Sequence, residues 1–345
     1  MNVFQRYLAD EFAEDYQEGR LSRREALKLI ASVTGSLVLA QTMLAACAPP
    51  PAPSTSTPRP APSATPQGPS GAQTTTSPTA TNPPAAQPTS IEAPATSASS
   101  SPAAPVSGTV SPDDPAIEAG PVEFSGEGVA LTGYLARPKG EGSFPVVLVC
   151  HENRGLTEHI QDVARRLAKA GYVALAVDLL SRQGGTEAVG SSNVPGVLGS
   201  ISPEQFVSDF VSGWRYLQTL PFADAARVGM VGFCFGGGVT WLVATQMPEL
   251  RAAVPFYGPH PSVADVPNIN AAVLAIYAGL DQRINQGIPD IEAAMQQNNK
   301  VYEKVIYPNV DHAFHNDTGS RYSPEAAQAA WAQTLAWFEK YLTAP

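Results

Sequence analysis

Arg227-Val228-Gly229-Met230-Val231-Gly232-Phe233-Cys234-Phe235-Gly236-Gly237 decides the fold. Its first half is a short apolar run of buried-strand type, and its second half opens a helix at Gly237–Met247. Between them, a cysteine stands where the G-x-S-x-G turn carries serine. Small residues on either side let the backbone double back tightly. The central side chain then projects above the sheet at a helix N-terminus, where aligned N–H groups favour a thiolate. A buried structural cysteine is the plainer reading, but the flanking glycines between strand and helix favour a nucleophile.

The same alternation runs through residues 113–345. Val122–Phe124 and Val129–Leu135 read as an antiparallel opening pair, turning at Gly126-Glu127-Gly128. Strands are expected at Pro145–Cys150, Tyr172–Val177, Ala252–Tyr257, Ala272–Tyr277 and Glu303–Tyr307. Helices are expected at Thr157–Ala170, Pro203–Leu220, Ile288–Asn298 and Pro324–Leu342, with Ser202 and Ser323 as starts. Residues 184–201 read as a loop. Strands alternating with helices of this length predict an α/β fold, a doubly wound, mainly parallel sheet with helices on both faces. Chemistry in such sheets sits beyond the carboxyl ends of the strands.

A thiol nucleophile needs a base, and the base needs an orienting acid. In chain order these fall on Asp281, in Gly279-Leu280-Asp281-Gln282, and His312, in Asp311-His312-Ala313-Phe314. Each follows a strand, so both reach the edge where Cys234 stands. Asp281 as a turn cap, His315 as the base, and Asp311 or Asp265 as the acid are the competing readings.

These segments resemble the dienelactone hydrolase family, a cysteine-based branch of the α/β-hydrolase fold, over roughly residues 120–345. Cys150-His151-Glu152-Asn153-Arg154-Gly155 extends the match. The resemblance implies that Glu152 helps deprotonate the cysteine and that backbone N–H groups of Phe235 and Asn153 form the oxyanion hole. It also implies a substrate carboxylate held by two arginines. One matches Arg182; the other falls on Asn316, so the carboxylate clamp is half retained at most. The expected activity is that of a carboxylic-ester hydrolase. It cleaves a small ester or lactone as a carboxymethylenebutenolidase does, through an acyl-thioester and with no metal or organic cofactor. Alternatives are a broad carboxylesterase of the same fold and a catalytically silent, surface-tethered binding module. A Cys150–Cys234 disulfide would silence the site.

The rest of the chain reads as an address and a tether. In residues 1–46, Ser22-Arg23-Arg24-Glu25 precedes an uncharged run from Leu29 to Ala46, which resembles a twin-arginine export signal. Leu44-Ala45-Ala46-Cys47 resembles a lipobox, with Cys47 the expected lipidation site and membrane attachment. The chain is then exported and held at the outer face of the bacterial cytoplasmic membrane, or secreted. An uncleaved transmembrane helix is the alternative. Two features fit poorly: Asp10, Glu11, Glu14, Asp15 and Glu18 make the segment before the arginines acidic, whereas signal n-regions are basic, and Ala26 stands where twin-arginine signals commonly carry a bulky apolar residue.

Residues 47–112 carry 17 of the 33 prolines and only two charges, Arg59 and Glu92, so they are expected to be a disordered tether. The net charge of −10 sits almost wholly in the C-terminal block, with no Lys/Arg cluster there, which argues against nucleic acid. Three cysteines exclude a disulfide framework. A monomer acting on a small molecule is expected.

Overall fold

The computed structural model describes residues 1–46 and 108–343. Cys47 and nearly all of the expected tether lie outside the described residues.

Eight strands form one sheet: β1 (Ile117–Ser125), β2 (Ala130–Pro138), β3 (Phe144–Cys150), β4 (Val173–Val177), β5 (Ala223–Phe233), β6 (Ala252–Phe256), β7 (Ala272–Ala278) and β8 (Tyr302–Tyr307). The strand order is β1-β2-β4-β3-β5-β6-β7-β8. β2 runs antiparallel to both neighbours, and every pairing from β4 to β8 is parallel. All residues of β4, β6 and β7 are buried, so both faces of the central sheet are covered. This is the doubly wound, mainly parallel sheet that the strand–helix alternation predicts, and it agrees with the α/β-hydrolase fold that the resemblance implies.

Among the described residues, eleven α-helices include three ahead of the sheet: α1 (Val3–Gln17), α2 (Arg23–Thr34) and α3 (Leu37–Ala46). Within and after the sheet come α4 (Glu158–Lys169), α5 (Thr186–Val189), α6 (Val194–Ser200), α7 (Pro203–Gln218), α8 (Phe235–Gln246), α9 (Gln282–Asn285), α10 (Ile288–Gln297) and α11 (Pro324–Phe338). Local chemistry sets their starts. Ser202 caps α7 by accepting the Gln205 N–H at 3.3 Å. Ser323 precedes α11 without a side-chain cap bond.

The two departures from expectation are linked. Residues 184–201 are not a plain loop but carry α5 and α6. The apolar run Leu29–Ala46 is not one continuous helix: Gly35, at φ 68°, ends α2, and a second helix begins at Leu37. Among the described residues no helix is long and apolar enough to cross a membrane.

α1 and α2 are coded locally by reciprocal capping boxes, Asn2 with Gln5 and Ser22 with Glu25. Both helices pack on the C-terminal block. Ile30 and Val33 of α2 are buried. Its seat is α6, whose Gly196 and Gly199 leave no room for a side chain beside Ser32 and Val33. The Gly-rich composition of residues 184–201 therefore serves a close helix crossing.

A Gly199→Val substitution is expected to destabilise the protein by about 1–3 kcal/mol, because a Cβ there would lie 3.0 Å from Val33 Cγ1. Urea unfolding measures it; an unchanged midpoint would mean that α2 is not seated on α6.

Candidate active site

Strand β5 ends at Phe233, α8 begins at Phe235, and Cys234 alone makes the turn with φ 59° and ψ −122°. That left-handed backbone is costly for a residue with a Cβ, and the surrounding structure must hold it. The constraint is visible at two glycines. A Cβ on Gly232 would lie 2.2 Å from the carbonyl oxygen of Gly236, and one on Gly236 would lie 2.5–2.6 Å from those of His151 and Cys150. The Cys234 N–H donates to Phe256 O at 3.1 Å, which ties the turn to β6.

Sheet register brings the other candidates in. Cys150 pairs with Gly232, so the residues following β3 flank the turn. His151 shapes that flank. Its Nδ1–H donates to Glu152 O at 2.7 Å, and its Nε2 accepts the Leu179 N–H at 3.3 Å. Burial lowers its pKa and keeps it neutral. The backbone N–H groups of Phe235 and Asn153 have no hydrogen-bond partner among the described residues. Glu152 is 5% exposed and accepts a 2.6 Å bond from Asn316 Nδ2. Asn316, standing where a second arginine was expected, thus holds the acidic neighbour.

On the other side, Asp281 follows β7 and His312 follows the adjacent β8. His312 Nδ1–H donates to Asp281 Oδ2 at 2.6 Å. Asp281 Oδ1 also accepts the Ile284 N–H at 3.1 Å, so the acid caps α9 and orients the imidazole together. The loop bearing His312 is pinned farther on, where Asp317 meets His159 at 2.9 Å and pairs with Arg166 of α4. The Tyr257 ring packs 4.9 Å from the His312 ring. Burial works against a charged His312, but Asp281 and the nearby sulfur outweigh it and lift its pKa to about 10. His315 lies instead among Phe233, Phe256 and Trp331, and burial drives its pKa well down. Sγ and His312 Nε2 lie within 4.8 Å of each other.

Arg182 is committed elsewhere: its guanidinium bonds Asp209 at 2.7 Å and the Glu127 carbonyl at 3.3 Å, so its charge is already answered. Cys150 and Cys234 are both free thiols, so the disulfide considered above is absent.

Sequence reasoning missed three contributors. From α1, the Tyr7 hydroxyl lies 3.2 Å from Cys234 Sγ and 3.3 Å from His312 Nε2. Glu11, one turn on, places its carboxylate oxygens 3.6 and 3.8 Å from Sγ and accepts a 3.1 Å bond from Asn153 Nδ2. Arg283 Nε bonds Glu14 at 3.0 Å, and its guanidinium lies 4.6 Å from the Tyr7 ring centroid. Burial raises the Cys234 pKa, with the Glu11 charge adding to it and His312 opposing. The sequence held one sign of this, in the acidity that suits an n-region poorly. Glu11, Cys234 and His312 also present donors close enough to hold a metal ion. Tyr7 already bridges two of them.

The dienelactone hydrolase family profile matches residues 131–342. The chain belongs to the dienelactone hydrolase family. A protein from Methylorubrum extorquens, provisionally named a carboxymethylenebutenolidase, is 35% identical over 246 residues, covering 68% of this chain and 84% of its own. One of the same name from Escherichia coli is 34% identical over 258 residues, 69% of this chain and 93% of its own. A crystal structure from Klebsiella pneumoniae, provisionally titled a dienelactone hydrolase, superposes with a TM-score of 0.62 at 34% identity. It matches 66% of this chain and 100% of its own. The chain is therefore a hydrolase of this family, and the family match excludes α1–α3.

The raised His312 pKa carries a pH prediction. A folded-state pKa above the ordinary 6.5 means that protonated His312 stabilises the fold fully below about 6.5, and that the contribution is lost as pH rises through about 10. Melting temperatures of wild type and Asp281→Asn should therefore differ most near pH 6 and converge towards pH 10. A constant gap across that range would contradict the assigned ion pair.

Proposed function

We propose that the protein hydrolyses carboxylic esters or lactones through a Cys234–His312–Asp281 triad and an acyl-thioester. The observation that carries this is the convergence at one sheet edge of a strained-turn thiol, an imidazole and the carboxylate bonded to it. Cys234, as thiolate, attacks the carbonyl carbon. The developing oxyanion is held by the N–H groups of Phe235 and Asn153, which are free to donate. His312 protonates the leaving alkoxide, which in a lactone stays tethered to the acyl group. The neutral imidazole then takes a proton from water, the hydroxide adds to the thioester, and collapse releases the carboxylic product and restores the sulfur. Asp281 fixes the imidazole tautomer throughout. Glu152, positioned by Asn316, assists deprotonation of the cysteine. With Arg182 paired to Asp209, a neutral acyl ester suits the site as well as an anionic lactone.

We also propose export and lipid attachment at Cys47. The twin arginines support this reading, because Arg23 and Arg24 are both exposed on the first turn of α2. So does α3, whose Leu37 and Val38 are exposed apolar residues ahead of the Leu44-Ala45-Ala46-Cys47 sequence.

Cys234→Ala is expected to reduce turnover of p-nitrophenyl esters and simple lactones by more than about a thousandfold, and Asp281→Asn by about a hundredfold or more. Undiminished turnover in Cys234→Ala would reject the sulfur as nucleophile.

A further inference from the structure

The nucleophile and its base are covered by the chain's own N-terminus. Tyr7, on α1, puts its hydroxyl between Sγ and Nε2, in the path a proton would take between them. Glu11 fills the space beside Sγ and engages Asn153, the residue whose N–H faces a developing oxyanion. Cys234 is 3% exposed and His312 2%, so both are almost wholly buried with α1 docked.

The helix is held by chemistry of the block, not by a loose lid contact. Phe4 packs edge-on to Phe206 and tilted against Phe235, the first residue of α8. Glu14 pairs with Arg283, only two residues from the catalytic acid. Around the rim, Arg20 reaches Asp311 at 3.5 Å, and Arg321 reaches Asp15 at 3.6 Å. Phe4, Tyr7, Glu11, Glu14, Asp15 and Arg20 all precede the family-matched range, and the whole Klebsiella chain is matched by two thirds of this one. The hydrolase site is thus whole without α1, and α1 adds groups that oppose its chemistry. A carboxylate next to the sulfur disfavours the thiolate, and burial does so as well.

We propose that the active-site face is also a binding site for an acidic amphipathic helix, that its ligand is the chain's own α1, and that this contact restricts turnover to the fraction of molecules with an open site until the segment is released. The inference rests on the hydrolase reading above. It also gives a place to the two features that an export signal leaves unexplained: the acidity ahead of the arginines and the burial of Tyr7 and Glu11. Arg23 and Arg24 stay exposed while α1 is docked, so the segment can be recognised while it holds the site closed. A cut before Cys47 would carry the cap away and leave a reactive thiol only after export.

The test uses the full-length chain and two readouts: the rate of Cys234 alkylation by iodoacetamide, and turnover of p-nitrophenyl acetate. A closed site reacts only through its open fraction, so loosening the cap raises both rates by the same factor. Glu14→Arg sets like charges against Arg283, and Tyr7→Ala/Glu11→Ala removes the stopper while the Glu14 and Arg283 side chains stay as they are. Each is expected to raise alkylation at least tenfold, with turnover rising in step and circular dichroism unchanged. Alkylation that is no faster in both folded variants overturns the proposal. Turnover that falls in Tyr7→Ala/Glu11→Ala while alkylation holds steady also overturns it, because Tyr7 would then serve catalysis. Faster alkylation with no ester turnover in any variant supports the cap and counts against the hydrolase assignment, so the two failures are separable.

Discussion

The left-handed turn at Cys234 is the constraint on which the rest depends. A non-glycine residue holds φ 59° only where its neighbours leave no alternative. Here β3 and β6 close on the turn from both sides, at contact distances that admit glycine alone at positions 236 and 237, and the turn folds back on itself just as tightly at Gly232. The turn lifts one sulfur off the sheet edge and leaves the first N–H of α8, that of Phe235, without a partner among the described residues. Because β5 to β8 are neighbouring parallel strands, the loops after β7 and β8 open beside it. Asp281 and His312 need no long-range steering beyond that order.

Electrostatics of the closed site pull two ways. Asp281 makes His312 a strong base, buried though it is, and a protonated imidazole would favour a thiolate. Burial and the Glu11 charge push the sulfur the other way. Both opposing influences come from or with α1, and the favourable one comes from the family-matched block. Release of α1 would therefore change both the access to the sulfur and its ionisation, with no rearrangement of the triad.

The fold was legible because its signals were local: apolar runs of strand length, helical spacing, and a glycine-flanked turn between them. The candidate residues were legible because the chain order of nucleophile, acid and base survives in the spacing of Cys234, Asp281 and His312. What the sequence hid were contacts between distant segments. Residues 184–201 looked like a loop because Gly and Ser dominate them, whereas Gly196 and Gly199 serve a helix crossing whose partner lies far earlier in the chain. The apolar run Leu29–Ala46 read as a single element, although Gly35 divides it. Tyr7 and Glu11 gave no motif at all. Their importance depends on where α1 docks, and only the unusual acidity of that stretch hinted at a partner. The pairing of Arg182 was hidden for a related reason: its partner Asp209 lies on α7, 27 residues on, and is buried.

The most direct measurement is the identity of the atom that carries the acyl group. His312→Ala, in which water is no longer activated, is mixed with p-nitrophenyl butyrate, quenched in acid and mapped by peptide mass spectrometry. A butyryl increment confined to the peptide bearing Cys234 is the predicted result. Acylation of a different residue, or p-nitrophenol release by the wild-type protein with no acyl group trapped on that sulfur in either protein, would contradict it.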